Sequence, residues 1–370
     1  MLFLILSFGL MTLTLAAPKR TFSEKENRVL AERPDFTIEK LLQGTFMTEY
    51  EAYLTDQFFL RDEWIWLKTW AELLLGKREI NGVYIGSDGY LIEHHEDSEI
   101  EADMLERSQD YLIRFAERYA ELLGAEHMKV MLVPTASELL TEKLPAFAEG
   151  FDQDGMIESI YERLPEGTAL DVRGILREHA DEYIYYKTDH HWTTLGAFFA
   201  YQAYCAAMEL PVPELAAAEQ RIVSEEFLGT VYSKLNVSFG ADTMYQFVLP
   251  DTPTRVQMTV DKTKTWDTLY NEAYLGQKDK YSYYLDGSHG LTEITSDGEG
   301  KGRLLIIKDS YSHCFAPMLL GNYEAVYLVD FRYFHMPVSQ FIAENQVTDV
   351  LVLYNAVTFA TDTHTGAFVR

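Results

Sequence analysis

The sequence predicts an α/β fold: a sheet flanked by helices, with a helical region before it and a β-containing insertion within it. Three observations carry this. Residues 304–307, 325–329 and 349–353 are apolar runs of strand length, alternating with helical stretches at 311–320 and 337–345; such runs read as parallel strands buried on both faces. Residues 128–133 form a further run of this kind, ended by Pro134 and followed by a polar loop and a helix opening at Glu138. The chain has 370 residues and is 47% hydrophobic, enough for one large α/β domain with a smaller attachment, or for two domains.

In chain order, residues 1–17 carry no charged side chain. The run is short for a membrane span and suits the apolar core of a signal peptide or an uncleaved signal anchor. Residues 18–80 read as an N-terminal helical region. Ser23 with Glu26 fits a capping box, Pro34 interrupts, and apolar residues recur at helical spacing over 38–53 and 64–75. Trp66 and Trp70 share a helix face and are expected in the core, and Gly76 is the expected C-cap. From residue 81 the period changes to 2, with Ser87-Asp88-Gly89 as a hairpin turn; the main domain, 81–370, is placed from here. Helices follow at 100–123, 152–163, 173–180 and 193–208, with a short strand at 170–172. Residues 210–300 are less regular and read as an insertion with strands at 246–249 and 255–260, before the α/β pattern resumes at Arg303.

The formal net charge is −27, from 58 acidic against 31 basic residues. A surface this acidic repels phosphate backbones, so nucleic acid is not an expected partner. The two cysteines, Cys205 and Cys314, form no CxxC and imply no zinc-thiolate site. Buried free thiols are the default for them; one disulfide between them is the alternative for an exported protein. Nothing in the sequence asks for a cofactor.

The densest chemistry lies in Lys187-Thr-Asp-His-His-Trp192. In extended chain, residues i and i+2 project to one side, so Asp189 and His191 can act together while His190 points away. An Asp that orients a His, which in turn takes a proton from a Ser, is the logic of a catalytic triad. The Ser is Ser310, in Lys308-Asp-Ser-Tyr-Ser312, at a strand-to-helix turn where unpaired backbone N–H groups can hold an oxyanion. Trp192 would wall the pair from water. Asn355, Asp330, Arg332 and Tyr333 follow predicted strand ends, where α/β sites gather; Asn355 is a candidate second oxyanion donor, and Arg332 can instead pair with Asp330. Plainer readings stand beside these. Ser310 can be a helix cap, Asp189 and His191 a structural cluster, or Asp189, His190 and His191 a metal site, which would need an irregular backbone.

These motifs identify a resemblance. Thr188-Asp-His-His-Trp192 with Lys308-Asp-Ser-Tyr-Ser312, together with Phe22-Ser-Glu-Lys-Glu-Asn-Arg28, Gly82-Val-Tyr-Ile-Gly-Ser-Asp-Gly-Tyr90 and Val329-Asp-Phe-Arg-Tyr333, resembles the DHHW proteins of Gram-positive bacteria. Those are similar to the SGNH-hydrolase-like domains of alginate O-acetyltransferases. The resemblance implies a flavodoxin-like SGNH core and an exported or membrane-anchored O-acetyltransferase or O-acetylesterase. Its partner would be a cell-surface or extracellular polysaccharide, its acyl group delivered by way of a membrane-bound acyltransferase. In the acetyltransferase relatives a D-x-H-W motif supplies acid and base and a later Ser the nucleophile, which Asp189, His191 and Ser310 match. The order is reversed from ordinary SGNH hydrolases, and no block with their oxyanion-hole Gly is recognisable. A non-catalytic glycan-binding surface protein is the rival expectation.

Overall fold

The computed structural model describes residues 1–26 and 28–370. Its main sheet has seven strands, numbered here in chain order: β1 (Met128–Val133), β2 (Val256–Val260), β3 (Lys264–Trp266), β4 (Leu291–Ser296), β5 (Arg303–Lys308), β6 (Ala325–Val329) and β7 (Asp349–Asn355). They lie side by side in the order β3-β2-β4-β6-β5-β7-β1. The pairs β6/β5, β5/β7 and β7/β1 are parallel. The expected α/β class therefore holds, with one difference.

β2, β3 and β4 fall within the expected insertion, yet they extend the main sheet, and do so antiparallel. Their half-buried, alternating side chains fit a sheet margin. The central strands are apolar throughout because both faces are covered. Leu304 and Ile306 join one core with the helix Thr194–Ala207. Leu305 and Ile307 join the other with the helices Ala102–Leu123, Val338–Glu344 and Ala356–Thr361. From β5 the chain runs to β6 on one side, then crosses to β7 on the other. The reversal lies between β5 and β7, where ligand crevices form in such sheets. Ser310 and Asn355 sit at these two carboxyl ends.

Other expectations need correction. Residues 170–172 form no strand; one bridge links Val130 to Ala169. The capping-box segment opens no helix. Ser23 Oγ does accept from the Glu26 N–H at 3.2 Å, but across a turn joining two short strands, Phe22–Ser23 and Arg28–Val29; Asn27 of that motif lies outside the described residues. The helix expected over 38–53 breaks at Gly44, whose φ of +78° is left-handed, into Ile38–Leu42 and Thr45–Asp56. The next helix, Arg61–Leu74, is followed by Gly76 in the left-handed conformation expected of a C-cap. Trp66 and Trp70 meet edge to face at 6.1 Å, but Trp66 is exposed and not core. The turn at Ser87–Gly89 joins Val83–Ile85 to Leu91–Glu93 as expected.

Residues Leu2–Ala16 form a helix, and among the described residues no helix is long and apolar enough to cross a membrane. Cys205 and Cys314 are buried free thiols, so the alternative of a disulfide does not hold.

Candidate active site

The motif loop is built by a tight chain reversal. Tyr185 bridges Trp192, the Tyr186 N–H donates to the His191 carbonyl at 3.2 Å, and the Thr193 N–H to the Ile184 carbonyl at 2.9 Å. The loop is then pinned from outside. One carboxylate, Asp242, accepts the N–H groups of Lys187 and Thr188 at 2.8 Å each, the Thr188 hydroxyl at 2.5 Å and the Tyr183 hydroxyl. Burial pushes the Asp242 carboxyl up in pKa, against the pull of these donors. Four donors on one buried acceptor fix the backbone on which Asp189 and His191 are mounted.

Asp189 uses both oxygens. Oδ1 accepts from His191 Nδ1 at 2.5 Å and from the His191 backbone N–H at 3.1 Å; Oδ2 accepts from the Thr230 N–H at 2.8 Å and its hydroxyl at 3.0 Å. This close seat requires a glycine at 229, since a Cβ there would stand 2.2 Å from Asp189 Oδ2. Burial alone would raise the Asp189 pKa. The neighbouring imidazoles and the donated hydrogen bonds outweigh it and hold the carboxyl below its ordinary range. Burial, then the adjacent His190, push His191 below the usual histidine value against the pull of Asp189. The resting pair is thus a carboxylate and a neutral imidazole with its proton on Nδ1. The other nitrogen, Nε2, lies 2.7 Å from Ser310 Oγ and is free to accept its proton.

Ser310 is held from the other side. The Asp309 carboxylate accepts the Tyr311 N–H at 2.9 Å and the Asn355 N–H at 2.8 Å, tying the turn after β5 to the end of β7. Two reciprocal bonds then lock this turn to the motif loop. Trp192 Nε1 donates to the Tyr311 carbonyl at 2.9 Å, and the Tyr311 hydroxyl to the His190 carbonyl at 2.7 Å. Trp192 is fully buried and forms a strut between the two loops; the ring stacked on His191 belongs to another residue. Tyr281 completes the cage. Its ring stacks on His191 at 3.7 Å with 14° between planes, and its hydroxyl donates to the Ser310 carbonyl at 3.3 Å.

The remaining candidates are placed differently from expectation. Asn355 Nδ2 gives its hydrogens to Asp309 Oδ2 at 2.7 Å and Thr358 Oγ1 at 2.6 Å, and Oδ1 accepts the Thr358 N–H. Asn355 caps the next helix and has no N–H left for an oxyanion. The Ser310 N–H, by contrast, donates to no protein atom among the described residues. Arg332 forks onto Asp330 through Nε at 2.8 Å and an Nη at 2.6 Å, the pairing read as its alternative. Lys308, beneath Ser310, donates to His313 Nε2 at 2.9 Å and approaches Asp330 at 3.5 Å. Tyr333 is exposed, under the Arg332 guanidinium, and touches none of the three central residues among the described contacts.

His190 turns aside and bonds Thr230 Oγ1 at 2.7 Å. Asp189, His190 and His191 do bring one ligand atom each within 4.8 Å of one another. Both Asp189 oxygens and both His191 nitrogens already have partners, however, so an ion here would displace the Asp–His–Ser relay. Asp242, Gly229, Thr230 and Tyr281 were missed from the sequence. All lie in the irregular 210–300 stretch, where no period marks them.

Fold and site together define an α/β protein with a buried Asp–His–Ser hydrogen-bond relay at the carboxyl edge of its sheet. The chain belongs to the DHHW family, whose model, described as DHHW protein, matches residues 107–329. Among solved structures it is similar to a DHHW family protein from Eubacterium siraeum DSM 15702, at 26% identity and a TM-score of 0.65, covering 79% of this chain and 96% of that one. Bacillus cereus PatB1 is similar in fold at 18% identity and a TM-score of 0.63, over 76% of this chain and 97% of that one; PatB1 with a sulfonyl adduct aligns with a TM-score of 0.62. No curated protein matches the chain.

Proposed function

We propose that this protein is an acyl-transfer enzyme that moves an acetyl group onto, or off, a hydroxyl of a cell-surface or extracellular polysaccharide. One observation carries the proposal: the continuous relay from Asp189 through His191 to Ser310 Oγ, with spacings of 2.5 and 2.7 Å. Ser310 Oγ attacks the acetyl carbonyl as its proton passes to His191 Nε2. The free Ser310 N–H faces the developing oxyanion. Collapse expels the donor alcohol, which takes the proton from His191 and leaves acetyl-Ser310. An acceptor hydroxyl, of glycan or of water, then gives its proton to His191 and attacks the acyl-enzyme, and Ser310 leaves reprotonated. Asp189 stabilises the imidazolium in each half.

Export and membrane attachment through the apolar segment 1–17 belong to this proposal, as does delivery of the acyl group by a membrane-bound acyltransferase. The test uses the protein with a small acetyl ester and a sulfonyl fluoride. Acetate release and a sulfonyl mass increment on the peptide containing Ser310 are expected, both lost in Ser310→Ala. Equal inertness of wild type and variant toward several esters, acetylated glycans and the sulfonyl reagent would reject the enzyme in favour of a glycan-binding protein. The ligand-atom grouping of Asp189, His190 and His191 favours one other reading, a metal-dependent hydrolase; activity lost to a chelator and restored by a divalent ion would establish it.

A further inference from the structure

Beside the relay lies a cleft of about 370 Å³, large enough for a sugar unit. It opens at the sheet reversal between β5 and β7, and its wall includes His190 and Tyr311, the chain neighbours of His191 and Ser310. Glu93, His95, Glu99 and Lys234 also line it, with four threonines among the remaining lining residues. Glu93 is paired with Lys234. Glu99 has no ion-pair partner, and the His95 imidazole makes no hydrogen bond to protein, among the described residues. His190 is bonded through Nδ1 only, so its Nε2 is open. The cleft thus offers an unpaired carboxylate, the His95 imidazole and the open Nε2 of His190 to the hydroxyls of a bound sugar.

Its charge is also informative. Two carboxylates stand against one ammonium, and burial holds His95 toward its neutral form. With histidines counted as neutral, the wall carries a formal charge of −1, on a chain of formal net charge −27. A uronate-rich or phosphate-bearing glycan would enter against this field, while an uncharged sugar pays no such repulsion.

We infer that this cleft is the glycan subsite of the reaction proposed above, and that it selects an uncharged glycan over a polyanionic one, with His95, Glu99 and His190 as the hydroxyl-binding groups. The inference rests on the acyl-transfer reading, and its test separates the two. 4-Nitrophenyl acetate first reports whether Ser310-dependent turnover exists. Acetate release is then compared between O-acetylated xylo-oligosaccharides and O-acetylated oligogalacturonides of equal length at low salt. The neutral series is expected to have at least tenfold higher kcat/KM, with the gap narrowing as salt is added and in Glu99→Lys. His95→Ala is expected to raise KM for the neutral series about tenfold with kcat within twofold. Equal or faster turnover of the anionic series, with the small ester still cleaved, overturns the subsite assignment alone. Binding of both oligosaccharides to Ser310→Ala, followed through the imidazole proton resonances, needs no turnover. Shifts of His95 and His190 on adding the neutral series support the subsite; absence of these shifts overturns it even if the protein hydrolyses nothing.

Discussion

Gly229→Ala is a sharp perturbation because it touches the relay through a single atom. The new Cβ would stand 2.2 Å from Asp189 Oδ2, 2.3 Å from its Cβ and 2.6 Å from its Cγ. Ordinary contact begins near 3.4 Å, so the carboxylate and residue 229 must part by about 1.2 Å. Movement of Asp189 by that amount breaks its bonds to the Thr230 N–H and hydroxyl, at 2.8 and 3.0 Å. Each hydrogen bond to a charged group is worth about 1.5–3 kcal/mol; with partial rehydration the variant should lose about 3 kcal/mol of stability. A displacement of about 1 Å in a catalytic array costs roughly 10²-fold in rate, and loss of the triad carboxylate's orienting role up to about 10⁴-fold. The expected fall in kcat/KM for a small acetyl ester therefore lies between these limits, measured beside Asp189→Asn as the lower bound. The urea midpoint reports the stability change. Activity within threefold of wild type in a folded Gly229→Ala protein would refute the assignment of Asp189 to the chemistry.

Three further outcomes follow from the same geometry. His191 must be neutral to accept a proton, and its pKa lies below the ordinary value of about 6.5, so the acid limb of kcat/KM should fall below pH 6.5; a limb at or above that pH contradicts the burial argument. The sign for stability is the same: a depressed folded pKa gives a contribution present above the unfolded value and lost as pH falls through the folded one. Asp242→Asn replaces one acceptor oxygen by an amide donor facing a backbone N–H, and should cost about 2–3 kcal/mol with a parallel loss of esterase activity, read by denaturant titration and initial rates. Trp192→Phe keeps the buried ring but removes the Nε1 bond to Tyr311; stability should fall by about 1 kcal/mol and kcat about tenfold, whereas an unchanged kcat would mean that the strut does not position Ser310.

The readable parts of the molecule are those with a short period. β1, β5, β6 and β7 are buried on both faces, so their apolar runs announce them. The motif marks Asp189 and His191, and the relay joins those two, but the extended chain on which they were preferred to His190 is absent: residues 187–191 bend through a tight reversal. What could not be read was set by partners far along the chain. Asp242 lies 55 positions beyond Lys187, and nothing local marks a lone Asp as the acceptor of a distant loop's N–H groups. β4 was passed over because Leu291–Ser296 is mostly polar by composition, and its strand conformation comes from neighbours β2 and β6. Asn355 was read as an oxyanion donor from its place after an apolar strand; the same place made it a helix cap, and its amide could not serve both. Trp66 was assigned to the core by helical spacing alone, which identifies a shared face but not what covers it.

The strand order has a consequence for how the protein comes into being. Apart from the single bridge at Ala169, β1 pairs with β7 alone among the described residues, and the register sets Met128 against Val350, 222 residues apart in the chain. During synthesis β1 must wait, one edge unpaired and both faces apolar, until nearly the whole polypeptide has been made. Contacts so distant slow folding, and exposed strand edges in that interval invite aggregation. A chain stopped short of residue 349 would hold the acid, the base and the nucleophile yet lack the strand that joins β5 to β1. Assembly is thus all-or-none with respect to the last strand, and an interrupted translation product is expected to be a substrate for proteases rather than a partial enzyme.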